Sequence, residues 1–97
     1  MKIGMLGSGD VGQVLGAGFC AAGHEVKMGT RDPGSDKVRA WLAKAGPHAS
    51  VGRFADAAAF GELAVLATAW MGTESAWRLA EPANLAGKIV IDVTNPL

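Results

Sequence analysis

Tyrosine is absent from these 97 residues and cysteine occurs once. A single thiol excludes an intramolecular disulfide framework and is compatible with a reducing compartment. An excess of either charge is also missing, because nine Lys and Arg balance nine Asp and Glu. With no cationic surplus, neither nucleic acid nor an anionic membrane is indicated as a partner, and any anion site must be local. No apolar run approaches the ~20 residues that span a bilayer. Met1-Lys2 leads into only four apolar or Gly residues before a polar turn, so no signal-peptide h-region is present. The expectation is a cytoplasmic protein. Repeats, linkers and low-complexity segments are lacking too, which leaves one domain, residues 1–97, near the small end of what buries its own core.

Glycine, by contrast, is abundant: 14 residues, about twice the average share, which suits tight turns between short buried elements. Short apolar runs alternate with helix-like segments, the pattern of βαβ units on a parallel sheet. "KIGML" (2–6) reads as a first strand. Residues 10–22 read as a helix with Val11, Val14, Leu15 and Phe19 on its apolar face. "EVKMG" (25–29) is a second strand. Ser35 or Asp36 then caps a helix with the stripe Val38, Trp41 and Leu42, ended by Gly46-Pro47. "HASV" (48–51) is a weak third strand, followed by a short helix in "RFADAAAFG" with Gly61 as its stop. "LAVLAT" (63–68) is continuously apolar, as expected of a strand buried on both faces. A helix around 73–80 and the strand "KIVIDV" (88–93) complete the pattern. Right-handed crossovers favour an α/β fold, a Rossmann-like doubly wound parallel sheet with strand order 3-2-1-4-5.

"GSGDVG" at 7–12 is G-x-G-x-x-G, directly after a strand and opening a helix. That context, more than the pattern, makes it a dinucleotide-binding signal. Gly7 permits the tight turn, Gly9 lets a pyrophosphate approach the backbone, and Gly12 lets helix and strand pack closely. Free N–H groups of the first helical turn face the anion, and Ser8 can add a hydroxyl hydrogen bond. Asp10 is an awkward neighbour for a pyrophosphate; its simplest role is to cap the helix, pointing sideways.

Beyond the second strand, "GTRDP" places Thr30 and Arg31 where an acid would hold the two hydroxyls of an adenosine ribose. A hydroxyl and a guanidinium suit a 2′-phosphate instead, which predicts a preference for NADP(H) over NAD(H). Lys37 or Arg39 can add positive charge. Asp32 opposes this reading, since it could turn inward onto a plain ribose.

With both motifs placed, the chain resembles the N-terminal domain of the coenzyme F420-dependent NADP oxidoreductase family. The resemblance lies in "MKIGMLGSGDVGQVLGAGFCAAGHEVKMGTRDP", in "LATAWMGT" (66–73) and in "IDVTNPL" (91–97), and runs the length of the chain. It implies hydride exchange between NADPH and the deazaflavin ring of F420. It also implies that Gly7, Ser8, Gly9, Asp10, Val11 and Gly12 line the pyrophosphate turn and that Thr30 and Arg31 meet the 2′-phosphate. Thr68, Ala69 and Trp70 would border the nicotinamide, with Asn95-Pro96 closing the cleft. The family continues beyond the fifth strand with the part that completes the second-cofactor pocket, so the expectation for residues 1–97 is the N-terminal part of a longer enzyme, with an ordered remnant or a natural short relative as the alternatives. A domain without that part would expose apolar surface and associate, at least as a dimer.

No catalytic residue is nominated, because the cofactors carry hydride chemistry and the protein positions them. Other acceptors, such as an imine, a flavin or ferric iron, and a non-catalytic NADP(H)-sensing or interaction module are the competing functions, since fold does not choose among chemistries. Cys20 reads as a small core residue. His24 and His48 lack metal-ligand spacing, and no metal site is expected. Trp70 is open between cofactor proximity and packing, Trp77 between core and a covered interface. Asp92 is either a buried hydrogen-bonding acid or a residue that reaches the cleft.

Overall fold

Five short runs extend as strands, β1 (Lys2–Leu6), β2 (Glu25–Gly29), β3 (Ala49–Gly52), β4 (Leu63–Leu66) and β5 (Ile89–Asp92), in a computed structural model that describes residues 1–67, 78 and 82–93. Every neighbouring pair is parallel and the order is β3-β2-β1-β4-β5. A parallel pair cannot be joined by a tight hairpin. The first two connections are α1 (Asp10–Ala21) and α2 (Asp36–Ala45), and α3 (Phe54–Phe60) returns the chain to β4. The chain thus runs outward through β2 and β3, then comes back to the other side of β1. This is the Rossmann-like doubly wound sheet expected, with its switch point between β1 and β4. The helix expected around 73–80 falls, apart from Arg78, outside the described residues.

Because strand side chains alternate between faces, β1 sends Ile3 and Met5 to one side and Leu6 to the other. Ile3 and Met5 join Val26, Met28 and Val65 under α1 and α2, with Cys20, Val38 and Trp41. Leu6 joins Ala64 and Leu66 under α3, with Phe54, Ala57, Ala58 and Leu85 of a short 3-10 helix, Pro82–Leu85. Lys88 donates its ammonium to the carbonyls of Ala58 and Ala59, satisfying acceptors that the end of α3 leaves open.

The inward face of α1 differs from the expected one. Gly12, Gly16 and Cys20 are buried, whereas Val11 is 50% and Val14 71% exposed. Leu15 and Phe19 do pack against the core from its margin. The reason is distance: α1 lies too close to its neighbours for large side chains on that face. A Cβ on Gly16 would sit 2.9 Å from a ring carbon of Trp41. The indole in turn donates its Nε1–H to the Gln13 carbonyl at 2.9 Å, fastening α2 to α1.

α2 is capped by Ser35, whose Oγ accepts from the Val38 N–H at 3.4 Å, which decides between the two expected caps. Asp92, at the end of β5, is exposed, so the buried-acid alternative does not hold.

Candidate functional site

The carboxyl ends of β1, β2 and β3 are tied together residue by residue. The Gly7 N–H donates to the Gly29 carbonyl at 3.0 Å, and the Thr30 N–H to the Gly52 carbonyl at 3.0 Å. On the other side of β1, the Ala67 N–H donates to Leu6 at 2.9 Å. The turn after β1, the two residues after β2 and the start of α3 therefore leave the sheet side by side. Two adjoining clefts result. One, of about 250 Å³, is lined by Gly7, Ser8, Gly9, Thr30, Arg31, Phe54 and Ala67. The other, of about 270 Å³, is lined by Thr30, Arg31, Arg53, Phe54 and Ala55. Thr30, Arg31 and Phe54 belong to both.

The glycine turn has the construction its sequence suggests, with one change. Gly7 adopts φ 129°, a conformation L side chains rarely take. A Cβ on Gly12 would run into the Gly7 carbonyl, so α1 can approach the turn only without one. Gly9 is different: its added Cβ would meet no protein atom within 4 Å, because it faces the open cleft. The space in front of Gly9 is what a pyrophosphate lying on this backbone requires, so the turn fits a dinucleotide. The change concerns Asp10. The N-cap is Gly9, no side chain caps α1, and Asp10 occupies the exposed first helical turn. The expected Asp10 cap is therefore not formed, since the helix starts one residue too early for it. Val11 is exposed one residue further on.

Thr30 is only 6% exposed, and its hydroxyl lies 3.1 Å from that of Ser8. The Asp32 N–H also donates to Thr30 Oγ1, at 3.4 Å. A hydroxyl offers one donor and two acceptor sites. If Ser8 donates to Thr30, both acceptor sites are filled from within and the Thr30 proton is left for a ligand in the cleft. Gln13 holds the other side of Ser8, donating Nε2–H to its carbonyl at 2.9 Å.

Asp32 does not turn onto the cleft. Its Oδ1 accepts from the Gly34 N–H at 3.1 Å and its carbonyl from the Ser35 N–H at 3.2 Å, closing a local turn. Asp32 is absent from both linings, which removes the objection it raised. Arg31 lines both clefts, and among the described residues no carboxylate pairs with its guanidinium. Lys37 is exposed in the first turn of α2 and lines neither cleft. Thr68, Ala69, Trp70, Asn95 and Pro96, as well as Trp77, lie outside the described residues.

Sequence reasoning passed over Arg53, Phe54 and Ala55. They follow the weak third strand and gain their meaning only from the strand order, which sets β3 beside β2. Burial pushes the Cys20 thiol above its ordinary value, as befits an inert core residue. Among the described residues, no group of three His, Cys, Asp or Glu could hold a metal, and no helix is long and apolar enough to cross a membrane.

A glycine turn facing an open cleft, joined to a buried Thr and an uncompensated Arg, narrows the comparison with known proteins. The family model described as coenzyme F420-dependent NADP oxidoreductase matches residues 2–96. The chain belongs to this family. Among solved structures, a protein of Arthrobacter sp. FB24 assigned as an F420-dependent NADP reductase is 41% identical, with a TM-score of 0.91 over 100% of this chain and 46% of that one. The chain thus spans less than half the length of this F420-dependent NADP oxidoreductase relative. No curated protein matches it.

Proposed function

We propose that this chain is the NADP(H)-binding domain of an oxidoreductase that exchanges hydride between NADPH and a deazaflavin of the F420 type. The observation that carries the reading is the continuity of one cleft from the glycine turn to Thr30 and Arg31. In this reading the backbone at Gly7, Ser8 and Gly9 receives the pyrophosphate. Arg31 presents a planar cationic fork to the 2′-phosphate, and the Thr30 hydroxyl donates beside it. Ser8 and Gln13 hold that hydroxyl and the turn in one fixed geometry. Ala67, which directly follows β4, lines the same cleft.

The nicotinamide supplies or accepts the hydride when bound. The task left to the chain is to fix the dinucleotide at its phosphates so that one ring face is offered to the second cofactor. No proton transfer by a side chain is required, and no catalytic acid or base is assigned. Membership of the F420-linked family and the likeness to the Arthrobacter protein support the acceptor.

Charge-assisted hydrogen bonds contribute roughly 1.5–3 kcal/mol each, and about 1.4 kcal/mol is a factor of ten. One or two such bonds to the 2′-phosphate give a preference for NADPH over NADH of roughly ten- to ten-thousandfold. Equilibrium titration of both forms tests this, and equal affinity would refute the phosphate site. Mixing NADPH and F420 with the full-length protein and following absorbance tests the acceptor. Turnover of that protein with an imine or ferric acceptor but none with F420 would reassign it, and binding without any turnover in the full-length protein would favour a sensing role.

A further inference from the structure

We propose that Arg53 is a second specificity-determining residue for the phosphorylated dinucleotide, meeting the 2′-phosphate beside Arg31. The inference rests on the reading of the cleft given above and adds a residue to it. Arg53 comes from a different element: it follows β3 directly and precedes the first turn of α3. β2 and β3 end in register, with Gly29 opposite Gly52. Residues 30–31 and residue 53 therefore emerge as neighbours, and their side chains line one cleft with Phe54 and Ala55.

The backbone of Arg53 is fixed on both sides. Its N–H donates to Asp56 Oδ2 at 2.9 Å, and its carbonyl accepts from the Ala57 N–H at 3.1 Å. The Asp56 carboxylate is thus engaged with the main chain. Among the described residues neither guanidinium has a carboxylate partner. Two residues whose side chains stay protonated at any ordinary pH line the same small space, and among the described residues neither side chain is ion-paired, in a chain whose overall charge is zero. Such a local concentration of one sign raises the potential for an anion of matching charge.

A phosphate monoester carries about −1.5 to −2 at neutral pH, so one guanidinium leaves part of that charge unmatched and two complete it. A plain ribose offers neither group anything to neutralise. Lys37, which could have been the second cation, stands outside the cleft. Phe54 and Ala55 supply an apolar wall next to the charged pair, suited to the flank of a nucleoside.

The test uses the full chain with 2′,5′-ADP and 5′-AMP, two fragments that differ by the phosphate in question. Wild type, Arg31→Ala, Arg53→Ala and Arg53→Lys are titrated calorimetrically, with urea melts to verify folding. Arg53→Ala should weaken 2′,5′-ADP about tenfold or more and 5′-AMP less than twofold. Arg53→Lys, which keeps the charge but loses the fork, should recover part of the loss. Parallel weakening of both fragments would assign Arg53 to the base or the scaffold and overturn the proposal, and so would no change in either. If wild type itself fails to prefer 2′,5′-ADP, the cleft reading falls and Arg53 with it. If Arg31→Ala removes the preference while Arg53→Ala leaves it intact, the role of Arg53 alone is refuted.

Discussion

Replacing Gly9 with alanine separates folding from binding. The backbone there has φ −72° and ψ −177°, extended geometry open to any residue. The added Cβ meets no protein atom within 4 Å. With neither strain nor overlap, the only loss to the unliganded chain is that alanine is a poorer N-cap than glycine, which should cost no more than about 1 kcal/mol. A small gain of about 0.4–1 kcal/mol is the other acceptable result, since alanine restricts the unfolded chain more than glycine does. In the proposed reading the methyl group instead occupies the space through which a pyrophosphate reaches the turn. Losing one charge-assisted hydrogen bond at roughly 1.5–3 kcal/mol weakens binding about ten- to a hundredfold. Urea denaturation reads the first quantity and equilibrium titration with NADPH the second. NADH should weaken by the same factor, because both forms share the pyrophosphate. Wild-type NADPH affinity in Gly9→Ala would refute the assignment of this turn. A stability loss above about 1.5 kcal/mol would show that the glycine is needed by the fold and not by a ligand.

Two other glycines of the same helix should respond with opposite signs. Gly12→Ala drives a Cβ into the Gly7 carbonyl, and such overpacking costs about 1–3 kcal/mol. Gly18→Ala, exposed with nothing within 4 Å, should stabilise by up to about 1 kcal/mol from helix propensity; urea midpoints of the pair check both. Burial raises the Cys20 pKa above its ordinary 9.0. A folded-state pKa above the unfolded one gives a stabilising contribution that is complete below about 9 and is lost as pH rises through the folded value. The stability difference between wild type and Cys20→Ala should therefore be flat below that pH and shrink above it, as urea melts across the range would show.

Much of the architecture could be read from periodicity, because a parallel sheet buried on both faces writes itself as short apolar runs. β1 and β2 fall on the expected residues, and the strand order follows from chain direction and handedness. The face of α1 could not be read that way. Hydrophobicity marks Val11 and Val14 as inward, but the indole of Trp41 and the Gly7 carbonyl set the contact distance, and only Gly16 and Gly12 meet it. Long-range geometry of this kind leaves no mark in local sequence. The candidate site shows the same division. Gly7, Gly9, Thr30 and Arg31 carry a pattern within one βαβ unit and come together as expected. Arg53 lies two elements further on and becomes adjacent only once β3 pairs with β2. Lys37, close in sequence to Arg31, lines neither cleft.

The hydroxyl contact between Ser8 and Thr30 bears on any attempt to re-engineer coenzyme choice. The familiar route exchanges the residue at the tip of the second strand for an acid. Here that exchange would also remove the Thr30 hydroxyl that meets Ser8, and would put a charged carboxylate into a nearly closed space. A single replacement at position 30 should thus lower affinity for both coenzymes instead of trading one for the other. A true swap in this scaffold calls for coordinated changes at positions 8 and 30, chosen together.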